Sequence, residues 1–380
     1  MQRKNNKMKI IIRNLIKNLY FKTIRNHSKR LYIKTYQSYI EKNPELALPM
    51  EGEKEWMEKW KKYDKNISPL SYRIFSRYIG PDINIMPMEV CVNVIEPILT
   101  PDNLSSFYCD KNSFGLLYPK EFMPQTFIHN IAGKYYDSDY KSITNDLNSY
   151  ILSDEIIIKP SAGSSGRGIS LFQRKNNVFT NKNNETLNID YLNNVYKSDF
   201  VIQERFVQND YLSQFNPSSL NTIRISTYRD VKTGEFKYLR SFLRIGSKDA
   251  IVDNAHAGGK FVGIDDFGRF GKYLCDQYGI KYETHNGIDF SKNEFVIPNY
   301  DKVKKFAIEV SEKFIHHSLL ALDIILDKDN NPKLLEINIQ GFGGWAFQFT
   351  SGTCFREYTD DILEYCTNKS LTLKLTREIK

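Results

Sequence analysis

An α+β fold whose lobes share a cleft, with a helical extension ahead of them, is the architecture this sequence predicts. Three observations predict it. The chain is 380 residues long, more than one compact core usually holds, so two or three lobes are expected. From about residue 105 onward, apolar runs of strand length alternate with helical patterns, an α+β or α/β signature, and the segment between 155 and 260 is rich in short strands. Ahead of these, apolar residues in the first forty positions recur at helical intervals among lysines and arginines.

The extension carries the charge of the whole chain. Residues 1–40 hold eleven Lys and Arg and no Asp or Glu. The formal net charge of +8 is therefore local: the remainder has 42 basic against 45 acidic residues, which argues against a nucleic-acid-binding protein. Ile12, Leu15, Ile16, Leu19, Phe21 and Ile24 are spaced as one face of an amphipathic helix. That face can pack on the rest of the protein or lie peripherally on an anionic membrane at its cytoplasmic side. Arg13, Asn14, Lys17 and Asn18 interrupt the apolar run a signal peptide needs, while the Arg-rich, acid-poor composition also matches an organellar transit peptide. No run of eighteen apolar residues could span a bilayer, so a soluble protein is expected. The five cysteines (Cys91, Cys109, Cys275, Cys354, Cys366) are scattered and odd in number, against a disulfide framework or zinc site and in keeping with a cytoplasmic protein.

A charged helical stretch over Glu51 to Lys62 and a Pro-punctuated region at 69–101 follow. The division expected is 1–62 as a basic helical extension, 63–150 as a substrate-side α/β region, 151–210 as a small lobe and 211–380 as a large lobe. Strands are predicted at Glu155 to Lys159, Gly168 to Gln173, Phe200 to Gln203, Thr222 to Tyr228 and Tyr238 to Ile245. A helix from Tyr300 to His317 then precedes strands Leu319 to Leu326 and Lys333 to Ile339, joined by the turn-rich Asp-Lys-Asp-Asn-Asn-Pro.

Ser161 to Gly168 reads Ser-Ala-Gly-Ser-Ser-Gly-Arg-Gly between two strand-like runs, so it is a hairpin tip. Walker A and Rossmann loops place their glycines at a strand-to-helix turn, and the nucleophile elbow needs Gly-x-Ser-x-Gly; none of these patterns is present. What remains is either an ordinary turn or a flap in which Ser164, Ser165 and Gly166 close over phosphates next to the Lys159 ammonium.

The C-terminal hairpin favours the second reading. Glu336 and Asn338 share a strand face by period-two alternation. If the strands pair symmetrically about their turn, Asp323 falls opposite Glu336. Two carboxylates and an amide, without Cys or His, suit a hard cation such as Mg²⁺ that keeps waters and substrate phosphates as its other ligands. Carboxylates within runs as apolar as Leu-Leu-Ala-Leu-Asp-Ile-Ile-Leu are costly to bury unpaired, which supports a metal over an exposed edge.

Together these residues resemble the ATP-grasp superfamily, in which two α+β lobes clasp ATP, and more closely its sugar-transfer-associated members found with bacterial surface-polysaccharide genes. The resemblance covers roughly residues 105–366 and rests on the combination of elements. Asp110-Lys111 and Lys159-Pro160 match the two phosphate-binding lysines of the D-alanine–D-alanine ligases and their relatives. Val201-Ile-Gln-Glu-Arg-Phe206 is similar to the adenine hinge, which implies backbone contacts to adenine from Glu204 and Phe206. Gln203 stands where Glu is commoner, and Asp210 would take the ribose. The metal triad corresponds to Asp323, Glu336 and Asn338. Asn221-Thr-Ile-Arg224-Ile and Asn254-Ala-His-Ala-Gly-Gly259 suggest the narrower family.

The sequence departs from the amino-acid ligases at Ala321, where they often carry an arginine. Arg244 or Arg224 is then expected to steady the acyl phosphate, with Arg240 on the same strand face as Arg244. His256, Gly258 and Gly259 are candidates for the acceptor side. The resemblance implies an ATP- and Mg²⁺-dependent ligase joining a carboxylate to an amine or hydroxyl through an acyl phosphate, in surface-polysaccharide biosynthesis or modification. A small-molecule or sugar kinase on the same fold, or a nucleotide-binding accessory protein, is the alternative.

Overall fold

The computed structural model describes residues 23, 26–101, 104–143, 146–163, 167–248, 253 and 258–369. Among these, two antiparallel sheets face each other across a cleft, and a helical layer backs the larger one.

The smaller sheet is built from β1 (Thr126–Ile131), β2 (Lys134–Asp137), β3 (Glu155–Pro160), β4 (Ser170–Lys175), β5 (Val178–Asn181) and β6 (Phe200–Glu204). Its order is β2-β1-β6-β3-β4-β5, and every pairing is antiparallel. Ile156, Ile158, Phe172, Phe200 and Ile202 supply its core, one face of each strand by alternation. β3 and β4 form the predicted hairpin, so the Ser161–Gly168 run is its connection and not a strand-to-helix turn.

The larger sheet comprises β7 (Thr222–Arg229), β8 (Phe236–Ile245), β9 (Lys260–Ile264), β10 (Phe270–Cys275) and β11 (Lys281–Tyr282). A small hairpin of β12 (Thr284–His285) and β13 (Ile288–Asp289) follows, and β14 (Leu319–Leu326) and β15 (Pro332–Asn338) return to the sheet. Its order is β11-β10-β9-β8-β7-β14-β15, again antiparallel. All eight residues of β14 are buried, because the strand lies between β7 and β15 and is covered on both faces. The helix Tyr300–Glu312 covers one face with Val303, Phe306, Ala307 and Val310. It is shorter than the predicted 300–317: the chain must turn back into β14 two residues after His317.

The N-terminal helices back the other face. A helix over residues 26–42, Glu53–Trp60 and Leu70–Ile79 share one hydrophobic cluster with Phe347 and Phe349 of the helix Gly344–Thr350 and with Ile362 and Leu363 of Thr359–Asn368. Trp56 and Trp60, one helical turn apart, are fully buried and donate their indole N–H groups to the carbonyls of Ile85 (2.8 Å) and Ile83 (3.0 Å). Tyr36 and Tyr39 bury the helix over 26–42 in the same cluster, and Lys29 pairs with Asp64 at 2.6 Å. For these residues of the basic arm, packing is what the structure shows. The apolar stripe from Ile12 to Ile24 lies outside the described residues.

β1 and β2 belong to the smaller sheet, so a division at 150 would cut through it, and among the described residues of 63–125 there is no strand. Residue 210 lies between the last strand of the smaller sheet and the first of the larger. No described helix is long and apolar enough to cross a membrane.

Candidate active site

A cavity of about 1020 Å³ opens between the two sheets, at the upper end of the roughly 300–1,000 Å³ of small-molecule sites. Lys111, Lys159, Gln203, Glu204 and Phe206 line it from the smaller lobe; Arg224, Arg244, Asp323, Glu336 and Asn338 line it from the larger. The cleft thus assembles ten residues whose positions span more than half of the chain.

The two lysines meet because the helix Lys111–Leu117 is stitched to the end of β3. Asp110 caps that helix by accepting from the Asn112 N–H, and the Lys111 backbone N–H donates to the Ser161 carbonyl at 2.9 Å. Lys111 Nζ reaches the same carbonyl at 3.4 Å. Lys159 has no salt bridge among the described residues; burial, aided by the nearby Lys111 charge, pulls its pKa down to about 7. A buried ammonium beside another lysine is a vacancy in charge terms that an anion fills.

On the larger sheet, register decides the rest. Asp323 lies opposite Glu336 on β15 and opposite Arg224 on β7. Arg224 grips both carboxylate oxygens, Nε to Oδ1 at 2.7 Å and Nη2 to Oδ2 at 2.6 Å, and Arg244 Nη1 adds a third bond at 3.1 Å. Arg244 also pairs with Asp253 at 2.9 Å, whose other oxygen accepts from the Thr222 backbone and hydroxyl. Burial would raise Asp323, yet the two guanidinium charges outweigh it and hold its pKa low. Glu336 shifts the other way, raised first by burial and then by the Asp323 charge.

A divalent cation fits this set. Glu336 and Asp323 repel each other across adjacent strands, Asn338 lies one alternation on, and all three offer oxygen. The set holds two carboxylates and an amide; a group of three or more His, Cys, Asp or Glu that could hold a metal does not occur among the described residues. Mg²⁺, which takes one or two carboxylates and leaves the remaining positions to water and phosphate, would be held by Asp323, Glu336 and Asn338.

Other predicted residues lie elsewhere. Asp210 is exposed at the start of the helix Asp210–Ser213 and does not line the cavity, although Arg205, Phe206, Val207, Gln208 and Ser213 on either side of it do. Arg240 shares the alternation of Arg244 but sits farther along β8, where Nε donates to the Thr353 carbonyl at 3.1 Å beside Gly352. Gly258 and Gly259 precede β9 and are not among the lining residues. Ser164, Ser165, Gly166 and His256 lie outside the described residues, while Gly163 and Arg167 of the same Ser161–Gly168 connection line the cavity. Residues not singled out from the sequence also line it: Asp253, Phe242, Phe261 and Trp345. Asp253 immediately precedes the Asn254 motif, the one local signal that pointed towards it.

Two facing antiparallel sheets, with paired lysines on one wall of the cleft and a carboxylate pair on the other, make an architecture of the ATP-grasp type. Residues 110–363 match the family model described as sugar-transfer associated ATP-grasp, and the chain belongs to that family. No curated protein matches it in sequence. Among solved structures it is similar to a D-cycloserine synthetase at 10% identity, over 70% of this chain and 73% of the other, with a TM-score of 0.41. It is also similar to the D-alanine–D-alanine ligase from Bacillus anthracis complexed with ATP, at 15% identity over 60% of this chain, with a TM-score of 0.31. The VanG D-Ala:D-Ser ligase from Enterococcus faecalis matches at 11% identity over 70% of this chain, with a TM-score of 0.37. The chain spans 54% and 62% of these last two.

Proposed function

We propose that the protein is an ATP- and Mg²⁺-dependent ligase that joins a carboxylate to an amine or hydroxyl. The observation that carries this reading is the placing of Arg224 and Arg244 beside the carboxylate pair and across the cleft from Lys111 and Lys159. Lysines on one wall suit the phosphates of ATP, with Glu204 and Phe206 at the adenine end. Arginines on the other wall suit a second anion, the substrate carboxylate. The bound cation would supply charge neutralisation between them. The substrate carboxylate oxygen attacks the γ-phosphorus, the bond to the β-phosphate bridging oxygen breaks, and ADP leaves an acyl phosphate. An amine or hydroxyl then attacks the carbonyl carbon, losing a proton and expelling phosphate. Closure of the Ser161–Gly168 hairpin would keep water from the acyl phosphate in between.

The family's description supports sugar-linked substrates, and we place the reaction in surface-polysaccharide biosynthesis or modification. Peripheral membrane association is retained for residues 1–25 alone, since the helix over 26–42 is packed on the catalytic body.

Hydroxylamine trapping tests the chemistry. With MgATP and a panel of carboxylates, an acyl phosphate yields a hydroxamate with one ADP and one phosphate per turnover. A phosphoester product with no hydroxamate and no free phosphate would replace the ligase with a kinase.

A further inference from the structure

Across the cleft face of the larger sheet, strand register lays three chemistries side by side. Glu336 and Asp323 occupy β15 and β14; Arg224 follows on β7; Phe242, opposite Arg224, follows on β8. Arg244, two residues from Phe242, lies opposite Phe261 on β9. Neighbouring strands are about 4.8 Å apart, so the run from carboxylates through arginines to aromatics covers roughly 14 Å.

The helix Gly344–Thr350 covers the aromatic end. Gly263, opposite Phe242, meets the Thr350 carbonyl so closely that a Cβ has no room. This close approach seats Phe347 against Phe242, ring centroids 4.9 Å apart, and Trp345 edge-on to Phe261 at 5.5 Å and 82°. Phe242 and Phe261 are 3% and 2% exposed, so they act as backing. Trp345 stays only partly buried and lines the cavity. In the same cavity, Asp253 provides a hydrogen-bond acceptor fixed by Arg244 and Thr222.

We propose that Trp345, backed by Phe261 and Phe242, is the platform on which the body of the carboxylate substrate rests, and that this body is a pyranose ring, making the substrate a sugar acid. The proposal rests on the ligase reading above. A carboxylate held at Arg224 and Arg244 has its reacting oxygen towards the metal side, so its body must extend towards the aromatics. A partly buried indole and a carboxylate lining the same cavity match a molecule with one apolar face and one hydrogen-bonding edge. A pyranose has both: C–H groups on its face and hydroxyls around its edge. A small amino acid has no face to offer the indole, and a carbocyclic acid without ring hydroxyls has nothing for Asp253.

Tryptophan fluorescence reads this directly. Of the three tryptophans, Trp56 and Trp60 are 0% exposed, so acrylamide quenching reports Trp345, and Trp345→Phe identifies its contribution. The full chain with Mg²⁺ and a non-hydrolysable ATP analogue is titrated with glucuronate, galacturonate, cyclohexanecarboxylate and D-alanine. Protection by a uronate, with little from the other two, is the expected result. Trp345→Ala should then weaken uronate binding about tenfold while leaving nucleotide affinity unchanged. Equal protection by cyclohexanecarboxylate overturns the sugar, and equal protection by D-alanine overturns the platform. Hydroxamate formation from a carboxylate that leaves Trp345 fully quenchable also overturns the platform while sparing the ligase reading. Uronate protection without any hydroxamate keeps the subsite and removes the ligase.

Discussion

Lys159 is where burial and function pull against each other. Taking an ammonium out of water beside Lys111 costs enough to bring its pKa to about 7, whereas a triphosphate favours the charged form. Below that pH the free protein already carries the proton. Above it, nucleotide binding must take one up, so affinity is full on the acid side and falls as pH rises past 7. Calorimetry in buffers of different ionisation enthalpy should show proton uptake at pH 8, and Lys159→Ala should lose both the uptake and the pH dependence. A pH-independent affinity in the native protein would remove Lys159 from the phosphate site. Asp323 poses a different problem. It is 1% exposed and bound by two arginines, so replacing it strands buried guanidinium charge and costs roughly 3–5 kcal/mol of stability. Glu336 forms no salt bridge among the described residues and is the cleaner position at which to probe the metal.

Among the elements, the β14–β15 hairpin and the helix Gly344–Thr350 do most to shape the site. Next to the turn, Leu326, Ile325 and Ile324 pair with Pro332, Lys333 and Leu334; a bulge then leaves Leu335 over, and Asp323 pairs with Glu336. Without that extra residue Asp323 would face Leu335 and every later side chain on β15 would change faces. The helix is positioned by Gly263, where a single added methyl meets backbone. Gly263→Ala should lower stability by about 1–3 kcal/mol, as overpacking does, and displace Trp345, raising the KM for the carboxylate while nucleotide affinity holds. A thermal shift assay with steady-state kinetics checks both parts; an unchanged melting temperature would mean the helix does not rest on Gly263.

At the scale of the whole molecule, the N-terminal helices are part of the catalytic body. Tyr39 and Phe75 pack edge-on against Phe349, with ring centroids 5.3 and 5.1 Å apart. Gln348 exchanges hydrogen bonds with the Met86 backbone at 2.6 and 3.0 Å. These contacts hold the back of the helix whose front carries Trp345. Deleting residues 1–25 should leave the melting temperature unchanged and abolish salt-sensitive sedimentation with anionic liposomes, to which each Lys or Arg contributes about 1 kcal/mol near the surface. Deleting 1–42 should in addition lower the melting temperature, because Tyr36 and Tyr39 leave the core. Liposome binding that survives the shorter deletion would place the membrane contact elsewhere.

What could be read from the sequence was local in origin. Strand alternation placed Glu336 and Asn338 on one face, the Asp110-Lys111 cap marked a helix start, and Gly/Ser content between two strand runs marked the hairpin. Each depends on residues within a few positions of one another. The pairing of Asp323 with Glu336 was also anticipated, although simple symmetry about the turn fails beside it and the Leu335 bulge restores it. Arg240 shares the alternation of Arg244, but period-two alternation assigns a face and not how far along a strand the cleft extends; Asp210 rests only on the resemblance to the adenine hinge, a local match that fixes no position in the cleft. β1 and β2 form a local hairpin that was not picked out from the sequence, but the placing of β1 beside β6 is a pairing across more than sixty residues that no local pattern carries. The Arg224–Asp323–Arg244–Asp253 ladder and the Trp345 platform join segments separated by up to a hundred positions. Which buried charge meets which, and which aromatic is left open, depends on packing among distant strands, so only the tertiary structure decided them.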